Sequence, residues 1–213
     1  RVPITARLVC DMLEVAGADR YITLDLHAGQ IQGFFSIPGD VLTAFHILSD
    51  YVASLRSQLH RPVVVTADLG FAKKARNYAA RIDAPLAFIE KRRMANDATA
   101  EALTVIGEVR DHDVIIVDDE ISTGGSMVEA VNLLKENGAR NVYVVFVHPV
   151  LAANAIDRLV NLPVTQYITT DTIPIPRERA ALMGDRLKIL SVSKLIGEVI
   201  LRTNEGRSVG ELF

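Results

Sequence analysis

Short unbroken apolar runs alternate along the chain with stretches in which apolar positions recur every three to four residues. The first pattern reads as strands buried on both faces and the second as amphipathic helices. It predicts a helix over 6–16, closed by Gly17, a strand over 21–26, and a helix over 42–59 that ends at His60-Arg61-Pro62. A strand over 62–67, a helix over 73–81 and a strand over 85–89 follow. After them come a strand over 113–118, a helix over 126–137 capped by Gly138, and a strand over 141–147. A helix over 152–160, strands over 166–169 and 188–192, and a helix over 195–203 complete the series. Such alternation predicts an α/β fold with a parallel sheet covered on both faces. Residues 94–104 are polar and Ala-rich, and residues 174–185 are charged. Neither period fits them, so they read as loops, lids or short helices.

One segment carries chemistry: "DVIIVDDEISTGGSMVEAV", residues 113–131. Four β-branched residues, Val114 to Val117, run directly into Asp118 and Asp119. In open parallel sheets, ligands sit beyond the carboxyl ends of strands. Gly124 and Gly125 let backbone N–H groups come close to a ligand, and the following helix turns its positive end to the same place. With the hydroxyls of Thr123 and Ser126 these groups make a cradle for a phosphate monoester. The two carboxylates accept hydrogen bonds from hydroxyls, so the pair of features describes a sugar phosphate. The plainer reading makes Ser122 or Thr123 a helix cap and the carboxylates a solvated strand end.

Bulk properties narrow the class. With 49% apolar and 23% charged residues, the 213-residue chain is globular. A net charge of −3 argues against a surface that coats nucleic acid but leaves room for a local phosphate pocket. A single cysteine, Cys10, forms no disulfide within the chain, which fits a reducing cytoplasm. No apolar run reaches the length of a membrane span. The chain starts at Arg1 without Met and in mid-pattern, so a further segment is expected upstream.

The 113–131 segment resembles the phosphoribosyl-diphosphate (PRPP) binding loop of type I phosphoribosyltransferases and of ribose-phosphate diphosphokinases (PRPP synthetases). The loop alone does not choose between them. The rest of the chain does: "ITLDLHAGQIQGFF" at 22–35, "VVVTADLG" at 63–70, "PLAFIEKRR" at 85–93, "VHPVL" at 147–151 and "SVGELF" at 208–213 are all similar to the diphosphokinase family. The resemblance runs from end to end. It implies a phosphoribosyltransferase-like domain over 41–213, preceded by residues 1–40 as the tail of a second, similar domain. Family members carry roughly a hundred further residues upstream, forming most of that domain.

The resemblance also implies roles. The reaction is transfer of the β,γ-diphosphate of ATP to the anomeric hydroxyl of ribose 5-phosphate, giving PRPP and AMP for nucleotide biosynthesis. Lys91 and Arg93 would be the catalytic cations, on a loop of about 91–104 that closes over the transferring group. Without that context, "KRR" is a solvated basic edge. Asp118, Asp119, Ser122, Thr123, Gly124, Gly125 and Ser126 would bind ribose 5-phosphate, and Asp68, Leu69 and Gly70 the diphosphate. His27 and Asp68 would hold Mg²⁺, with Asp68 the better ligand because oxygen suits this cation. Each of the two alone is as well read as a structural residue.

Some positions depart from the family pattern. Phe71 stands where a second glycine is usual; a side chain there narrows the loop and restricts positive φ. Ser122 replaces a third aspartate. Gln32, Asp40 and Ser208 match a site where many members bind phosphate or ADP, but Val41 and Gly210 remove polar partners. Weakened allosteric inhibition is therefore expected. The family favours a homo-oligomer, a hexamer built from dimers. Two other readings stand beside the diphosphokinase: a phosphoribosyltransferase, for which no base-binding hood is found, and a non-catalytic regulatory subunit, which would have lost the cations or carboxylates that are present here.

Overall fold

In the computed structural model, residues 4–93 and 101–212 are described. They form two compact units: residues 4–44 with 193–212, and Phe45–Val192.

The first unit holds α1 (Thr5–Val15), β1 (Tyr21–Leu24), β2 (Gly39–Leu42) and α7 (Ser193–Asn204). The strands β1 and β2 pair in parallel, with Tyr21 beside Gly39 and Leu24 beside Leu42. Asp25, which follows β1, is buried, and its carboxylate accepts bonds from the Thr43 hydroxyl (3.0 Å) and the Ala44 N–H (2.7 Å). These bonds carry the unit to Ala44, past the boundary expected at residue 40. The C-terminal helix, expected in the second domain, groups with the first unit. The expected helix over 42–59 gives up its start to β2, a strand whose register depends on pairing with β1 and not on any local period.

In the second unit α2 (Phe45–Ser54) precedes β3 (Val63–Thr66), α3 (Ala72–Arg81), β4 (Leu86–Arg93) and β5 (Glu101–Ile106). Then come β6 (Asp113–Glu120), α4 (Gly125–Glu136), β7 (Asn141–His148), α5 (Ala155–Val160), β8 (Gln166–Thr170), α6 (Arg177–Met183) and β9 (Leu187–Leu190). The strands form a seven-stranded sheet in the order β5-β4-β3-β6-β7-β8-β9. All neighbours are parallel except β4 and β5, which form an antiparallel ribbon from Phe88–Ile106 to Arg93–Glu101. Only the first part of β4, Leu86 to Phe88, pairs with β3. Thus 101–106, which overlaps the stretch read as a lid, is a strand, and 94–100 lies outside the described residues. The charged stretch 174–185 contains α6, whose Met183 is buried in the core.

Burial explains the strand-like runs. Val114, Ile116, Val142, Val144 and Phe146 pack under α4 and α5 through Met127, Val131, Leu134, Ile156 and Leu159. The residues between them, Ile115, Val117 and Val145, are equally buried on the opposite face, where α3 packs on β3. A strand covered on both faces has no polar side to alternate with.

Candidate active site

The strand order reverses between β3 and β6: β4 was added on one side of β3, and β6 lies on the other. The crevice beyond the strand ends at such a point is the usual ligand site of an open α/β sheet. Val65 lies beside Ile116, so both strands deliver carboxylates to nearly the same level, Asp68 from β3 and Asp118 and Asp119 from β6. Asp119 is buried, and its N–H donates to Asp118 Oδ1 at 2.9 Å. Burial pushes the Asp118 pKa up to about 7; the negative charges of Asp119 and, more weakly, Asp68 act in the same direction, while the Asp119 N–H opposes them.

Asp68 exposes its side chain but fixes its own turn. Its Oδ1 accepts the Gly70 N–H at 2.8 Å, and its carbonyl accepts the Phe71 N–H at 3.0 Å. The Gly70 amide expected to face a diphosphate is held by this carboxylate, while Leu69 lies in the same short 3₁₀ turn (Leu69–Phe71). Phe71 has φ −87, a backbone conformation open to any residue, and its ring is buried with Lys74 Nζ 5.2 Å from its centroid.

Beyond β6 the cradle takes shape. Gly124 caps α4 with φ +76, a conformation that glycine reaches without strain, and no side chain caps the helix. Neither Ser122 nor Thr123 therefore serves as the helix cap of the plainer reading. The first-turn N–H groups of α4 have no partner within the helix, and the Thr123 and Ser126 side chains beside them are exposed. Ser122 is half-buried.

The other expected residues lie as follows. Lys91 and Arg93 occupy the far part of the β4–β5 ribbon, beside Leu103 and Glu101, and their side chains lie outside the described residues. His27, exposed, belongs to the first unit and Asp68 to the second. Gln32, Asp40 and Ser208 all fall in the first unit. There the Arg20 guanidinium binds Asp40 at 2.7 Å, and the Ser208 carbonyl accepts Arg202 Nη1 at 2.9 Å. Among the described residues, no group of three or more His, Cys, Asp or Glu side chains is arranged as a metal cage.

Two features escaped the sequence. His148 ends β7, its Nδ1 3.0 Å from the Thr172 hydroxyl beyond β8. Arg158 on α5 donates to the Thr123 carbonyl at 3.3 Å. Nothing in "AIDRLV" distinguishes this arginine from a solvated one; only the packing of α5 beside the cradle does.

Against known proteins, a family model, the phosphoribosyl synthetase-associated domain, matches residues 93–213. Curated relatives include ribose-phosphate pyrophosphokinases of Caldanaerobacter subterraneus subsp. tengcongensis, 44% identical, and of Oceanobacillus iheyensis, 45% identical, both across the whole of this chain. The chain spans 66% and 65% of their lengths. A crystal structure of phosphoribosylpyrophosphate synthetase from Mycobacterium smegmatis superposes on 97% of this chain with a TM-score of 0.87 and 38% identity, and 65% of that chain is covered.

Proposed function

The chain belongs to the phosphoribosyl synthetase-associated domain family, and we propose that it supplies the sugar-phosphate and diphosphoryl-transfer site of a ribose-phosphate diphosphokinase. The anomeric hydroxyl of ribose 5-phosphate attacks the β-phosphorus of ATP. A bond forms between that oxygen and Pβ, the bond from Pβ to the bridging oxygen breaks, AMP departs with the oxygen, and the hydroxyl proton is released. The carrying observation is the uncapped α4 N-terminus beside the Asp118–Asp119 pair at the sheet's switch point.

The α4 amides with Thr123 and Ser126 hold the 5-phosphate. Asp118 and Asp119 accept ring hydroxyls and so orient the anomeric carbon. Lys91 and Arg93, carried on the ribbon, neutralise charge on the transferring group. Three carboxylates gather at the ends of β3 and β6, and Mg²⁺ would relieve their repulsion. Asp68 would hold the ion, which would supply charge neutralisation on the phosphates. ATP and ribose 5-phosphate are the substrates, and a cytoplasmic homo-oligomer is the expected form. The half-exposed two-stranded sheet of the first unit supports its reading as the tail of a second domain.

Phosphorus NMR of the protein with ATP, ribose 5-phosphate and Mg²⁺ tests the reading. AMP and a new anomeric diphosphate signal are expected, both lost in Lys91→Ala. Sugar-phosphate binding without AMP would overturn it in favour of a regulatory subunit or a transferase.

A further inference from the structure

We propose that Arg158 is a positioning residue, a side chain that aims the phosphate cradle. The inference rests on the cradle reading above and adds how the loop holds its shape.

Four consecutive carbonyls of the loop are committed. Ile121 C=O accepts the Leu151 N–H at 2.9 Å, and Ser122 C=O accepts the Ala152 N–H at 3.0 Å. Thr123 C=O accepts Arg158 Nη1 at 3.3 Å, and Gly124 C=O accepts the Val128 N–H at 3.0 Å. In a planar trans peptide the N–H points opposite to its own C=O. Fixing the carbonyls of 121 to 124 therefore directs the N–H groups of Ser122, Thr123, Gly124 and Gly125 away from the brace. These are the amides that a phosphate would meet.

Three of the four bonds are backbone to backbone. The third depends on a side chain, and it holds the peptide just before Gly124, where the chain turns at φ +76 from strand exit to helix. The same guanidinium nitrogen lies 3.7 Å from where a Cβ on Gly125 would stand, so its positive charge flanks the first turn of α4. The segment that presents it is itself strongly constrained. Leu151 and Ala153 hold φ +44 and +51, Leu151 is buried, and Arg179 Nη2 donates to the Ala153 carbonyl at 2.9 Å. Residues kept in this sparsely populated region persist where the surroundings over-determine them.

The test compares wild type with Arg158→Ala and Arg158→Lys. Two readouts are used: backbone ¹⁵N order parameters of Gly124 and Gly125 without ligand, and ribose 5-phosphate affinity and KM. Arg158 is exposed, so both variants should keep the wild-type Tm. Expected in Arg158→Ala are lower order parameters at both glycines, a KM for ribose 5-phosphate raised about tenfold, and kcat within about twofold. Lysine, whose ammonium keeps a donor and the same charge, should recover most of the affinity. Unchanged order parameters and KM in Arg158→Ala would overturn the proposal, as would an equal loss of ATP affinity. If wild type fails to bind ribose 5-phosphate while the glycines still loosen in the variant, the brace stands and the phosphate reading falls.

Discussion

Asp118 keeps a proton near neutrality because its carboxyl sits in a desolvated strand end with Asp119 and Asp68 nearby. A folded-state pKa of about 7 lies above the ordinary 3.8. The protonated form therefore favours the folded state; this contribution is full below the ordinary value and disappears as pH rises through about 7. An asparagine side chain in its place has the neutral shape at every pH. Asp118→Asn should thus raise Tm by about 5 °C near pH 8 and hardly change it near pH 4 in metal-free buffer, while abolishing PRPP formation. Thermal scans at the two pH values decide this; equal shifts would show that packing and not charge sets the effect. The chemistry of this residue was legible in sequence, because two adjacent carboxylates after an apolar run have no place in a core. Arg158 was not legible, since its partner is a backbone carbonyl 35 positions away. Nor was the φ of −87 at Phe71 or the burial of its ring.

Elements that fill the middle of the sheet could be located from their runs alone, and β3, β6 and β7 all stand within a residue or two of expectation. The strands that the periodicity missed, β2 and β5, are short or Ala-containing and gain their geometry from a partner. At the end of the sheet opposite the site, Asp113 joins three elements. Its carboxylate, 1% exposed, accepts the His60 N–H at 2.8 Å and the Asn141 side-chain amide at 2.9 Å, tying the entries of β3, β6 and β7. Asp113→Ala removes the acceptor that these two partly buried donors share and should cost about 1–2 kcal/mol. Urea denaturation should show this as a lower midpoint, with ribose 5-phosphate affinity per folded molecule unchanged. A changed affinity would mean that the two ends of the sheet are coupled.

At the scale of the whole molecule, the two units differ in how much they bury. The second holds a seven-stranded sheet with both faces covered. The first holds a two-stranded parallel sheet whose β1 is only partly buried, and α1 with the residue before it exposes Ile4, Leu8, Val9, Met12, Leu13 and Val15. Two strands alone are marginal in water. Hydrogen exchange should therefore find Val114–Val117 and Val142–Val147 exchanging only through global opening, and Tyr21–Leu24 orders of magnitude sooner. Equal protection would mean that the units unfold as one. The β4–β5 ribbon has a mechanical consequence. It is anchored to β3 only as far as Phe88, yet it carries the backbone of Arg93 five residues farther out. At about 3.3 Å per residue this is a lever arm of roughly 16 Å, and a rotation of about 10° at Phe88 sweeps Arg93 through about 3 Å. Such a sweep equals the difference between a contact and a gap, so the place of the ribbon's outer backbone is set at the fulcrum and not at the tip.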